Sequence, residues 1–259
     1  MSLHQEIADR LWQAHLDSSP IDSIALGNPD LGLDNAYTIQ GLLNAKREAA
    51  GAIISGRKLG VTAEGGMKMF GITEPVHGTL YASGMVPNGA TLAVGGQVLQ
   101  PKIESEVGFI MGADVSAKPA SMMALMDAVE AIVPCYELPG SRIDGWPKKI
   151  EDMVSDAAGF SHYMLGEGRA APGDLDLSKM AVTVSKNGEV ISEGSGAECL
   201  GDPFNGLMWL IEKLEARGIA LRKGDLVLTG ALGGIIPAAA GERFETQFEG
   251  LGSVNVNFV

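Results

Sequence analysis

The sequence is poor in cysteine: Cys135 and Cys199 stand alone, outside any CxxC spacing, which argues against a cysteine-built zinc site and against a disulfide framework. Each reads as a small buried residue. Basic runs are missing as well. Asp and Glu number 32 against 19 Lys and Arg, a net charge of −13, the wrong sign for a nucleic-acid interface, which must replace condensed counterions with clustered cations. No apolar stretch is long enough to span a bilayer and the N-terminus carries no apolar signal core, so a cytoplasmic protein without membrane contact is expected. A Gly-x-Ser-x-Gly nucleophile turn, a Ser-His-Asp motif and a phosphate loop are all absent, and the glycines from Gly230 to Gly234 lack the spacing of a dinucleotide fingerprint. No internal repeat or low-complexity linker divides the chain.

Aromatic residues make up only 5% while glycines number 35. That balance suits an α+β protein with many tight turns better than a helical bundle. Helical periodicity is read over residues 3–16 and 34–50, with Asp34 as N-cap and Gly51 beyond the last turn. Two short helices bury too little surface to fold alone, so residues 1–50 are expected to form a helical arm packed on a body of residues 51–259. In the body, residues 53–59, 91–94, 103–111 and 132–138 read as strands, 119–131 and 203–217 as helices, and 181–192 as a hairpin turning on Asn187-Gly188. Strands return at 225–229, 242–249 and 253–259. The apolar share and the number of exposed-strand candidates suggest a homo-oligomer.

Glu104 and Glu106 are the most informative residues. Strand periodicity places them on one face, about 7 Å apart at their Cα atoms. Carboxylates so placed repel unless water, a shared proton or a cation intervenes. An arbitrary Glu-x-Glu is more often a solvated face, but Val107, Phe109 and Ile110 continue the strand with apolar character. A third carboxylate, Glu137, lies inside the run Ile132-Val133-Pro134-Cys135-Tyr136, where an isolated charge is expensive to bury. Three acidic groups in two core-like strands suggest a hard divalent ion with oxygen ligands. The net negative charge fits that reading, because an acidic substrate must then be captured locally by a metal or a placed cation. Lys58 stands between glycines in a β-like segment beside Arg57, and either cation can be the one that faces inward. His77 and His162 are weaker candidates.

Taken in order, these segments resemble the hydratase and decarboxylase branch of the fumarylacetoacetate hydrolase superfamily. The resemblance is carried by Asp34-Asn35-Ala36-Tyr37-Thr38-Ile39-Gln40, Gly56-Arg57-Lys58-Leu59-Gly60, Pro101-Lys102-Ile103-Glu104-Ser105-Glu106, Glu137 with Gly140-Ser141-Arg142-Ile143, and Leu251-Gly252-Ser253-Val254. It implies a mixed β-rich, barrel-like fold, a Mg²⁺ or Mn²⁺ held by Glu104, Glu106 and Glu137, and Lys58 as the catalytic residue. Thr229, Gly230 and Ser161 are implied as substrate-binding. The segments from Gly196 to Pro203 and from Leu228 to Gly233 look closer to the hydratases than to the decarboxylases. The implied activity is addition of water to a 2-hydroxy-2,4-dienoate in aromatic-compound catabolism, giving a 4-hydroxy-2-oxo acid. The alternatives are decarboxylation of a 2-oxo-3-enedioate, acylpyruvate hydrolysis, or a non-catalytic subunit; association with a pathway enzyme is a further implication. One departure stands out: where the family pattern has Asn after Asp156, this chain has Ala157, followed by Ala158, Gly159 and Phe160.

Overall fold

Ser2 starts the first helix with a capping box: its side chain accepts from the Gln5 amide while Gln5 reaches back to the Ser2 amide. The computed structural model describes all 259 residues. In chain order its elements are α1 (Leu3–Leu16), α2 (Ile24–Gly27), α3 (Leu33–Ala49), β1 (Ile54–Gly60), α4 (Glu64–Phe70), β2 (Val76–Tyr81), β3 (Thr91–Leu92), β4 (Lys102–Met111), α5 (Met122–Asp127) and β5 (Val129–Leu138). They continue with α6 (Ile150–Ser155), β6 (His162–Leu165), β7 (Ala181–Lys186), β8 (Glu189–Ser195), α7 (Pro203–Glu215), β9 (Leu226–Leu228), β10 (Ile235–Pro237), β11 (Arg243–Phe248) and β12 (Gly252–Phe258).

Several boundaries differ from expectation for identifiable reasons. Gly32, in extended backbone, takes the N-cap of α3 and Asp34 lies inside the first turn, where its charge still favours the helix dipole. The helix expected over 119–131 is only α5, because Val129 and Ala131 already pair with Met111 and Ile110 of β4. The 91–94 strand keeps two residues. The hairpin forms as expected: Asn187 and Gly188 have φ of 52° and 88°, the left-handed pair of a tight two-residue turn.

The larger sheet runs β2-β1-β9-β4-β5-β6 with β10 added to β4, and curls into a half-barrel; the smaller runs β3-β12-β11-β7-β8. Alternation along β4 and β5 assigns their two faces. Ile103, Val107, Phe109, Ile132 and Tyr136 join Val182, Phe244, Val254 and α7 in one buried cluster between the sheets. Within it, Ser105 Oγ and Tyr136 Oη both hydrogen-bond Thr246 Oγ1, at 2.8 and 2.7 Å, tying β4 and β5 to β11. The opposite face carries Glu104, Glu106 and Glu137. Val133 and Cys135 on that face pack with Ile7, Leu11, Ile39 and Leu43 of the arm helices, so the arm lies over the same side of the sheet from which the carboxylates project. No helix is long and apolar enough to cross a membrane.

Candidate metal centre and substrate cavity

Antiparallel register sets Glu104 directly opposite Glu137, and Glu106 opposite Cys135. One carboxylate oxygen from each of the three lies within 4.8 Å of the others. All three are buried, Glu106 and Glu137 completely. Facing like charges destabilise a strand pair, and here burial removes the water that would screen them. β1 delivers Lys58, 3% exposed, to the same face. Its Nζ lies 2.8 Å from Glu137 Oε1 and donates to the Ala158 carbonyl at 2.7 Å. Arg57, the other candidate cation, instead donates to Thr79.

Three carboxylates against one ammonium leave a charge deficit that a divalent cation matches. Glu106 Oε2 accepts the Gly230 amide at 2.8 Å, but Glu106 Oε1 and Glu137 Oε2 have no hydrogen-bond partner although sealed from water. Orphaned carboxylate oxygens are costly in an apolar interior, and a hard cation with oxygen ligands is what satisfies them. The residues present therefore fit a divalent ion.

Titration follows the same logic. Burial, then Glu137 and Glu104, push Glu106 well above the carboxylate range. Burial lifts Glu137 to about 8 against the pull of Lys58. For Lys58, burial works against the charge, but the three carboxylates, Glu137 first, outweigh it and push the ammonium up. A carboxyl whose folded value exceeds its unfolded one contributes stability that is complete below the unfolded value and lost as pH rises through the folded one. For Glu137 that window runs from 4.5 to about 8. We therefore expect the gain in Tm on adding Mg²⁺ to metal-free protein to widen as pH rises across this window. Calorimetry in EDTA and in Mg²⁺ measures it, and a gain independent of pH would contradict the assignment.

The loop over Glu106 exists because β9 and β10 share one edge of β4 without meeting. β9 pairs with residues 108–110 and β10 with residues 102–104. Between them the Thr229 amide bonds the Val107 carbonyl at 3.2 Å and the Leu232 amide bonds Ser105 at 2.7 Å, while the Gly230 amide turns to Glu106. A Cβ on Gly230, at φ +102°, would sit 2.2 Å from Thr62 Oγ1, so the close approach requires glycine. Thr229 and Gly230, implied as substrate-binding by the resemblance, have partners within the chain. The Thr229 hydroxyl is buried and donates to Val107 O at 2.9 Å, which leaves its oxygen only acceptor capacity, and the Gly230 amide holds a carboxylate of Glu106.

Ser161, the third residue implied as substrate-binding, lines a different depression. Ala157, Ala158 and Gly159 all have positive φ (54°, 53° and 76°), and this left-handed run aims the Ala158 carbonyl at Lys58, then carries the chain away. Ser161 Oγ pairs with His162 Nδ1 at 2.9 Å in a separate depression. Non-glycine residues in this region cost of order 1–3 kcal/mol each, and a buried clamp holds them. Arg142 donates from Nε and its amide to Asp156, from Nη2 to the Asp156 carbonyl and from Nη1 to the Phe160 carbonyl. Arg142→Met is expected to cost about 3–5 kcal/mol by leaving Asp156 buried and unpaired; a urea midpoint within error of wild type would refute this.

Beside the carboxylates opens a cavity of about 230 Å³ whose walls include Phe70, Pro139, Trp146, Met153 and Ile235, with Glu104 and Lys58 also lining it. None of these wall residues was flagged by the sequence. Glu198, another lining residue, was missed too: its two oxygens accept the Ser195 and Gly233 amides at 3.1 and 3.0 Å, which fixes the loop over Glu106. Its signal was legible as a Ser-x-x-Glu capping spacing. His77 lies elsewhere, stacked on Tyr37 at 4.7 Å.

The chain is similar in sequence and in fold to proteins of known activity. The family described as fumarylacetoacetate (FAA) hydrolase C-terminal matches residues 68–259. The chain is 36% identical over 255 residues to a 2-keto-4-pentenoate hydratase of Paraburkholderia xenovorans (strain LB400), covering 98% of this chain and 94% of that one. It is 32% identical over 250 residues to a 2-hydroxyhexa-2,4-dienoate hydratase of Comamonas testosteroni, covering 96% and 95%. Among solved structures, 4-oxalocrotonate decarboxylase from Pseudomonas putida G7, complexed with magnesium and adipate, superposes with a TM-score of 0.93 at 27% identity, covering 99% of this chain and 97% of that one.

Proposed function

This chain belongs to the fumarylacetoacetate hydrolase family, and from that premise we infer that it is a hydro-lyase adding water to a 2-hydroxy-2,4-dienoate to give a 4-hydroxy-2-oxo acid. The carrying observation is the charge of the cavity. Lys58, engaged with Glu137 and Ala158, is the one cation among its lining residues, and the remaining wall is largely apolar. A 2-oxo-3-enedioate, the substrate of the decarboxylase reading, carries a second carboxylate that this wall offers no partner and would desolvate at a cost. A monocarboxylate with a short hydrocarbon tail suits it, as the dienoate hydratase relatives suggest.

Glu104, Glu106 and Glu137 would hold the ion, which we take to be Mg²⁺ or Mn²⁺; when bound it supplies Lewis acidity towards the substrate carboxylate and C2 oxygen. Lys58 spends two of its three N–H donors on Glu137 and Ala158, leaving one for substrate. We assign it to orienting the carboxylate and relaying the proton. Transfer of the enol proton to C5 gives the conjugated 2-oxo-3-enoate; water oxygen then bonds C4 and a proton goes to C3. Phe70, Trp146 and Met153 exclude bulk water around the tail, and Glu198 holds the loop that fixes Glu106.

The test is to follow the ultraviolet absorbance of freshly made 2-hydroxypenta-2,4-dienoate with enzyme and Mg²⁺ or Mn²⁺ and to weigh the product. Metal-dependent gain of one water is the expected result. Absorbance loss without added water would reduce the activity to tautomerisation, and release of carbon dioxide from 4-oxalocrotonate alone would favour decarboxylation. We also propose a cytoplasmic homo-oligomer, since Val190 and Ile191 are exposed on the edge strand β8, where apolar side chains invite a partner.

A further inference from the structure

A second depression, of about 320 Å³, lies between the arm and the sheet, and no residue lines both it and the metal cavity. Its lining includes two arginines and two histidines and not one carboxylate, in a chain of net charge −13. Arg142 belongs to the clamp already described, so its charge is met by Asp156. Arg47, on α3, is different. It is 5% exposed, its Nε and Nη2 have no hydrogen-bond partner, and it enters none of the molecule's ion pairs. Its Cζ sits 5.7 Å from the ring centroids of both Tyr81 and Phe160. Such rings attract a cation through their faces but accept none of its in-plane N–H groups. Burial and the neighbouring Arg142 pull the guanidinium down to about 10, so it stays charged at neutral pH.

A buried guanidinium without an acceptor is expensive, and a planar carboxylate supplies two acceptors in the matching geometry. The rim adds hydroxyls and imidazoles from Ser83, Ser161, His15 and His162, which are neutral donors suited to a single negative charge. We propose that this depression is a binding site for a small free carboxylate, separate from the metal cavity and sharing no lining residue with it. Because Phe160 and Ser161 line it just beyond the turn that presents Ala158 to Lys58, occupancy would brace that turn against the arm.

The test uses the full-length, metal-loaded protein carrying isotopically labelled histidine. Its four histidines give a simple spectrum, and a carboxylate in the metal cavity does not touch His15 or His162. Titration with propionate is expected to shift His15 and His162 saturably with a Kd of about a millimolar, leaving His4 and His77 unmoved. Inorganic phosphate should bind more weakly. Arg47→Met should weaken propionate by about tenfold or more, and Ser83→Glu, an exposed rim change that leaves the interior intact, should do the same by placing a competing charge at the mouth. Absence of a saturable shift in the wild type, or shifts unchanged in Ser83→Glu and Arg47→Met, would overturn the proposal. Tighter binding of phosphate would overturn its carboxylate class. Signals that respond to protein concentration and not to propionate would instead assign the depression to a side chain of a second copy.

Discussion

Lys58→Met is expected to lower kcat by about a hundred- to ten-thousandfold, the range for loss of a positioned proton-transfer group, while divalent-metal affinity is retained. Methionine preserves the length and apolar stem of lysine, so the packing of β1 should survive. What disappears is the ammonium 2.8 Å from Glu137 Oε1 and 2.7 Å from the Ala158 carbonyl. With that cation gone, the carboxylates keep their ligand atoms and gain net negative charge, which favours a divalent ion. Measuring metal binding by calorimetry beside turnover therefore separates two cases. Lost turnover with intact metal binding places Lys58 in the reaction; lost turnover caused by lost metal would make it a support for Glu137. Full turnover would remove it from the mechanism.

Glu106→Gln should give a crossed pattern. With Mg²⁺ present, activity is expected to fall to background and metal affinity to drop by more than the roughly ten- to hundredfold that follows loss of an outer-shell partner. In EDTA the variant should be more stable than wild type. Burial and the neighbouring Glu137 and Glu104 raise the cost of ionising Glu106, and glutamine removes that cost while its side-chain oxygen can still accept the Gly230 amide. Thermal melts of both proteins, with and without metal, check this. Wild type being the more stable in both conditions would mean that the three carboxylates do not repel in the folded state.

The sequence made the three carboxylates legible for physical reasons that hold in any strand. Period two put Glu104 and Glu106 on one face, and the apolar run around Glu137 made an unpaired charge there improbable. Family resemblance named Lys58, which local pattern alone could not separate from Arg57. Less visible was whatever depends on register between distant segments. That Glu104 faces Glu137 is a property of the β4–β5 ladder, and Phe70, Trp146 and Met153 meet only because separate elements converge. Strand β2 escaped notice because it is buried along its whole length and so shows no alternation. The resemblance implied Thr229, Gly230 and Ser161 as substrate-binding; what it did not reveal is that the broken edge of β4 engages the first two in hydrogen bonds to Val107 and Glu106, and that Ser161 follows the left-handed run of Ala157 to Gly159 and pairs with His162. Ala157, in place of the expected Asn, occupies a conformation in which Asn is favoured, so the departure is a local strain that the Arg142 clamp must hold.

The interrupted edge of β4 also bears on the order in which the protein assembles. Glu106 meets its amide partner across 124 residues of chain, and Lys58 meets the Ala158 carbonyl across 100. Contacts of such sequence separation form late, after loop closure has been paid in entropy. During synthesis β4 and β5 emerge well before residues 229–234 exist, so Glu104, Glu106 and Glu137 spend that interval without the loop that will cover Glu106. Until the C-terminal strands arrive, water screens the repulsion among the three carboxylates, so the cost of gathering them falls on the last contacts to form, those that shut the solvent out.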